Sequence, residues 1–149
     1  MRTMTRITFL AILIAIVCSF SAFASTGFAS SDQLNRDVII DINLLRAANG
    51  SGSLEYDARL YRAAEIRAEE SSIRWAHVRP DGSDYYTVDP DVVYGENLAR
   101  DFSDPSSVIQ NWMDSPKHRH CILNPRYTRC AVACYIDSSG KWYWAIELF

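Results

Sequence analysis

Two runs near the C-terminus, 127–136 and 141–149, constrain this chain more than anything else in it. Both are rich in β-branched and aromatic residues. Asp137-Ser138-Ser139-Gly140 between them reads as a turn, so the pair is expected to form an antiparallel hairpin. Alternation sends Trp142, Trp144, Ile146 and Leu148 to one face and Tyr143, Ala145, Glu147 and Phe149 to the other. Both faces are mainly apolar, and neither can be left against water. The hairpin must sit in a sheet covered on each side by helices.

The upstream sequence supplies the covers. Asp32 is placed to cap a helix running to about Ala48, with Leu34, Val38, Ile42 and Leu45 on one face. Asn49-Gly50-Ser51-Gly52 stops it. A second helix over 57–72 carries a stripe of mostly small residues, Leu60, Ala63, Ala64, Arg67, Ala68 and Ser71, with the intervening Arg and Glu residues on a solvated face. Residues 73–93, with Pro80, Gly82 and Pro90, read as turns and loop, followed by an extended piece over 92–98. Asp104 caps and Pro105 opens a third helix with Val108, Ile109, Trp112 and Met113 facing inward, which ends by Pro116. Helices first and strands last give an α/β chain, a three-layer α-β-α sandwich with a central antiparallel sheet.

Residues 1–24 stand apart from this pattern. Arg2 and Arg6 precede the apolar run 7–17, and Ala22-Phe23-Ala24 supplies small residues for cleavage before Ser25, the grammar of a signal peptide. The apolar run is shorter than the ~20 residues a spanning helix needs. Residues 25–33 read as a linker and 34–149 as one domain. Removing the first 24 of 149 residues leaves 125 and moves the net charge from −3 to −5 as Arg2 and Arg6 are lost. That size can bury a core unaided, and the acidic balance offers no footprint for nucleic acid. After signal removal there is no membrane span. In a secreted protein a disulfide is expected among Cys121, Cys130 and Cys134. Cys130 and Cys134, four apart on a strand, would have Cα atoms ~13 Å apart, too far to bridge. Cys121 is then one partner, with either Cys130 or Cys134 as the other.

Titratable groups set beside apolar residues mark the candidate site. His77 lies just before the turn Arg79-Pro80-Asp81-Gly82, Glu96 follows Gly95, and His118 follows Pro116. These three are expected to converge on one cleft, with Asn97 and Ser115 beside them. Two imidazoles and a carboxylate suit a zinc-like divalent metal, so His77, His118 and Glu96 are the candidate ligands. Tyr85, Tyr86, Trp112, Trp142 and Trp144 are the candidates to line an apolar groove. His120 reads as a surface residue.

Six pieces in order carry a resemblance: Asn43-x-x-Arg46 with Asn49-Gly50; Leu60-x-x-Ala63-Ala64-x-x-Arg67-Ala68; His77-x-Arg79-Pro80-Asp81-Gly82; Tyr94-Gly95-Glu96-Asn97-Leu98-Ala99; Trp112-Met113-x-Ser115-Pro116-x-His118-Arg119; and Ile122-Leu123-Asn124-Pro125-x-Tyr127-Thr128. Together they resemble the CAP superfamily (the SCP domain, also known from cysteine-rich secretory proteins, antigen 5 and pathogenesis-related 1 proteins), in its short prokaryotic form. The resemblance implies an α-β-α sandwich with a cleft lined by two histidines and two acids, matched here by His77, His118 and Glu96. The second acid falls at Ser115, so the set is incomplete. Asp114 is about a hundred degrees away round the helix and is a poor substitute.

The resemblance further implies a secreted or envelope-associated protein that binds small apolar ligands, lipid- or sterol-like, or an extracellular or cell-surface protein partner, without catalysis. One alternative is a metal-dependent, protease-like hydrolase, with Glu96 as base, His77 or His118 as its partner, and Ser115 as nucleophile or substrate contact. Another is a structural module of the cell envelope.

Overall fold

The computed structural model describes residues 27–28 and 31–149; the expected signal peptide lies outside the described residues. The elements are β1 (Gly27–Phe28), α1 (Ser31–Ala48), β2 (Glu55–Tyr56), α2 (Ala58–Ile73), β3 (Gly95–Arg100), α3 (Pro105–Asp114), α4 (Pro116–Leu123), β4 (Arg129–Ile136) and β5 (Trp142–Leu148). A single 3-10 turn, Tyr85–Val88, interrupts the long α2–β3 connection.

The hairpin forms as its two apolar faces require. β4 and β5 pair antiparallel from Cys130↔Leu148 to Ile136↔Trp142, and β3 adds antiparallel to the far side of β5. The sheet order is β1-β4-β5-β3, so β3 is an edge strand. The other edge of β4 takes two short partners: β1, antiparallel at Tyr135 and Ile136, and β2, parallel at Arg129 and Cys130. Two residues of the expected linker thus join the sheet, and α1 starts at Ser31.

One sheet face packs Cys130, Val132, Cys134, Trp144, Ile146 and Leu148 against Val38 and Ile42 of α1 and Val108, Ile109 and Trp112 of α3. The other packs Ala131, Ala133, Ala145 and Leu98 against Leu60, Ala63, Ala64 and Ala68 of α2. Small residues on both partners let α2 lie close to the sheet, so alanine here is a spacing device as much as an apolar one. Glu147 shares this α2 face.

Helix starts follow the local chemistry. Asp57 accepts from the amides of Arg59 and Leu60, and Asp104 accepts from Ser107 ahead of Pro105. Bonds from Ser106 and Ser107 hold the Asp104 carboxyl down at about 2. Pro116 does more than end α3: with Ser115 between them, it opens α4 at a position where its missing N–H costs nothing. His118 therefore sits inside a helix rather than at the end of one.

Two expectations fail here. The three described cysteines are free thiols. Cys130 lies buried in the sheet on β4, whereas Cys121 comes from α4 and is half-buried, and no bond joins them. Burial pushes all three up to about 12. The expected tryptophan groove is also absent. Trp112 and Trp144 are fully buried in the α1–α3 core, and Trp142 stacks on Trp144 at 6.1 Å.

Gly95 shows a close approach. A Cβ there would lie 2.6 Å from the Tyr127 hydroxyl oxygen and 2.8 Å from its ring. Gly95→Ala is expected to cost about 1–3 kcal/mol through overpacking, read as a fall in Tm by calorimetry. An unchanged Tm would contradict the contact.

Candidate functional site

Glu96 sits on β3 with its side chain closed to solvent, and three nitrogen atoms converge on it. Arg67 Nε donates to Oε2 at 2.6 Å, Arg67 Nη2 to Oε1 at 3.2 Å, and His77 Nδ1 meets Oε1 at 2.7 Å. Arg67 is wholly buried on α2. It also donates to Glu70 at 2.6 Å and to the carbonyls of Ala76 and His77 at 3.0 and 3.2 Å. Glu70 is gripped in turn by Arg79 at 2.7 Å. A single line of charge, Arg79–Glu70–Arg67–Glu96–His77, therefore runs beneath the α2–β3 connection. Burial opposes the charge on both Arg67 and Glu70. The facing partners outweigh it, raising the guanidinium and lowering the carboxyl. Glu70 was expected on a solvated face; its two arginine partners draw it into this line.

His77 is 54% exposed at the end of the line. With Nδ1 turned to Glu96, its Nε2 is the nitrogen left for a ligand. The ring meets Tyr85 edge-on at 6.2 Å. His118 comes from α4, which packs on the edge strand β3, and joins His77, Trp75, Ala76 and Leu98 around a hollow of about 280 Å³. Burial, and after it the nearby His77, lower the His118 pKa, which favours the neutral imidazole. Trp75 is held from outside by Arg100, whose guanidinium lies 4.7 Å from its ring centre.

The three residues expected together are thus brought together, with distinct roles. The two histidines reach the hollow, and Glu96 orients one of them from below. Asn97 is not in the cleft: its amide donates to the His118 carbonyl at 3.0 Å and ties α4 to β3. Ser115 is the junction of α3 and α4 and does not line the hollow. Asp114 is exposed and bonded by Gln110. His120 is exposed, as expected. Tyr85 and Tyr86 line a separate hollow with Pro90, Val93 and Tyr94.

The metal expected on His77, His118 and Glu96 is not matched by the donor set. Both Glu96 oxygens are taken up by Arg67 and His77, and a guanidinium against a carboxylate opposes a second cation there. Among the described residues no three His, Cys, Asp or Glu side chains form a metal-binding group.

A second carboxyl does stand beside Glu96, and sequence reasoning missed it. Glu147 on β5 lies directly across the sheet from Glu96. Its one signal was a lone carboxylate alternating with Tyr143, Ala145 and Phe149 on an otherwise apolar face.

Comparison with known proteins agrees with this architecture. Residues 40–148 match the model of the cysteine-rich secretory protein family, CAP. The Bacillus subtilis protein YkwD is 28% identical over 132 residues; the match covers 79% of this chain and 49% of that protein, so the chain spans about half the length of this curated relative. An outer surface protein of Borrelia burgdorferi superposes with a TM-score of 0.71 at 15% identity, over 83% of this chain and 97% of that one. An extracellular SCP-domain protein from Bacillus anthracis superposes with a TM-score of 0.63 at 19% identity, over 78% of this chain and 41% of that one. With the sheet, its helical layers and the motif-bearing residues all in place, this chain belongs to the cysteine-rich secretory protein (CAP) family.

Proposed function

We propose that the chain is an exported, non-enzymatic binding module that takes a small apolar ligand at the β3 edge. The observation that carries this reading is the composition of the hollow: Trp75, Ala76 and Leu98 form an apolar wall, and His77 and His118 supply the polar anchors. Binding sites of this kind are mainly apolar with a few oriented polar groups. Its volume is at the low end of the ~300–1,000 Å³ range of ligand pockets. A small molecule, or the end of a lipid chain, fits better than a bulky ring system. Export rests on the signal-peptide grammar of residues 1–24 and on relatives described as extracellular or outer-surface proteins. Among the described residues no helix is long and apolar enough to cross a membrane.

Hydrolysis has less support from the same residues. Glu96 would be the base, yet it is closed to solvent and locked to Arg67. Ser115 does not line the hollow with the histidines, and burial pushes the Cys121 thiol up to about 12, where it is a poor nucleophile.

The test is to incubate the mature protein with a total lipid extract and analyse what co-purifies. One apolar class should be retained, and Trp75→Ala or His118→Ala should lower its amount severalfold. His118→Ala keeps the backbone carbonyl that Asn97 holds, so the fold should survive. A protein that stays empty across every lipid class would sink the reading.

A further inference from the structure

Among the described residues, three buried side-chain polar atoms have no hydrogen-bond partner: Nδ1 of His118 and both carboxyl oxygens of Glu147. Buried polar atoms are nearly always satisfied, so each exception calls for a physical account. Glu147 is 0% exposed. It stands in register with Glu96 of β3, and the titratable and charged groups that act on it electrostatically are Glu96, Arg67 and Glu70 of α2, Tyr85 of the 3-10 turn and Cys121 of α4. Arg67 is the cation of this set, and its N–H groups are directed to Glu96, Glu70 and the carbonyls of Ala76 and His77. No donor turns toward Glu147. As two carboxylates, Glu96 and Glu147 would be like charges in register with no donor between them. With one proton they become a hydrogen-bonded pair.

We propose that Glu147 is kept as the carboxylic acid and donates to Glu96, so that the two glutamates hold one proton between them and Glu147 acts as a positioning residue for His77. The proton belongs on Glu147 because Glu96 already accepts from the Arg67 guanidinium. Glu96 then accepts from Arg67, Glu147 and His77 together. That arrangement favours the Nδ1–H tautomer of His77 and turns the Nε2 lone pair to the hollow. The chemistry of the site agrees: burial first, and the charge of Glu96 second, hold the Glu147 carboxyl well above the ordinary carboxylate range, against the opposing pull of Arg67. This pairing of two glutamates does not depend on what the hollow binds.

The pH dependence has a definite sign. A carboxyl whose pKa is raised by folding keeps in the native state a proton that the unfolded chain releases above about pH 4.3. Its contribution to stability is complete below that value and is lost as pH rises toward the raised native pKa. Across that window the folding constant should fall by up to tenfold per pH unit. Glu147→Gln keeps the shape and supplies a permanent donor to Glu96. The ratio of its folding constant to that of wild type, from urea unfolding at a series of pH values, should therefore rise with pH above about 4.3. A ratio independent of pH would overturn the proposal. Infrared spectra of the wild-type protein at neutral pH should show the carbonyl band of a buried carboxylic acid, absent from Glu147→Gln; wild type without that band would refute it without reliance on any variant folding. Imidazole ¹⁵N spectra should report the Nδ1–H tautomer of His77 in wild type and in Glu147→Gln, and a tautomer mixture in Glu147→Leu. Identical His77 spectra in all three would remove the positioning role.

Discussion

Arg46→Ala is expected to lower the unfolding free energy by about 3–5 kcal/mol, a large part of what a domain of this size has. Arg46 stands in the last turn of α1 and is wholly buried. Its partners are all backbone carbonyls: Gly52 at 2.6 Å, Ile122 at 2.6 Å, Asn124 at 3.0 Å and Tyr127 at 2.9 Å. Burial lowers the pKa of this guanidinium, since no carboxylate offsets its desolvation. Removing the side chain strands those four acceptors and leaves a cavity. A stranded acceptor costs about 1–3 kcal/mol where water cannot reach it, and partial wetting brings the total to the stated range. The connection from α4 to β4 should loosen as well, because the carbonyls of Asn124 and Tyr127 belong to it and that of Ile122 lies in the last turn of α4. Urea denaturation should show a lower midpoint with an unchanged m-value. Arg46→Lys should recover only part of the loss, because one ammonium cannot span the positions a planar fork reaches. A cost under about 1 kcal/mol would mean the carbonyls find water, and the burial argument would fail.

Arg67→Ala should cost a similar amount, about 3–5 kcal/mol at neutral pH, for a different reason. Here the loss is electrostatic: Glu96 and Glu70 keep their charges, and Glu96 keeps its in a site closed to water. An uncompensated buried charge dominates such substitutions, and the full desolvation penalty then falls on the stranded partner. Lowering the pH protonates stranded carboxyls, so the deficit should shrink toward acid pH. The Arg46→Ala deficit has no carboxylate behind it and should not shrink in this way. Comparing the two variants by urea denaturation at pH 4.5 and pH 7.5 separates the mechanisms. Equal pH dependence in both would show that Arg67 acts through packing alone. Arg67 also holds the carbonyls of Ala76 and His77, so under the binding role proposed above, retention of the co-purifying apolar class should fall in Arg67→Ala under conditions where it remains folded.

Much of the architecture was legible before any coordinates. The hairpin was readable because period-two alternation put apolar residues on both faces of 142–148, and a sheet buried twice needs two helical layers. The α2 stripe of alanines and the Asp104-Pro105 start of α3 were readable because spacing and capping act within a few residues. Other features were hidden for physical reasons. Pro116 reads equally as a helix stop or a first helical residue, and the choice depends on how α4 packs against β3. The strands β1 and β2 are two residues each and carry no periodic signal. The tryptophans of β5 and α3 are as fit for a groove as for a core until the opposing helix is placed. The expected disulfide failed because spacing along a strand says nothing of where a helical thiol on α4 points.

Local pattern by itself determined which side chains leave water and where helices begin, because burial and capping are decided by neighbours one to four residues apart. Tertiary structure alone decided what the polar groups do. Arg67, His77, Glu96, His118 and Glu147 lie ten to eighty positions apart, and each takes its role from the crossing of α2, the α2–β3 connection, α4 and two strands. Charge pairing acts through space and leaves no period in the chain. A buried guanidinium and two facing glutamates could therefore be counted in the sequence, but only the fold shows that they share one closed site beneath His77.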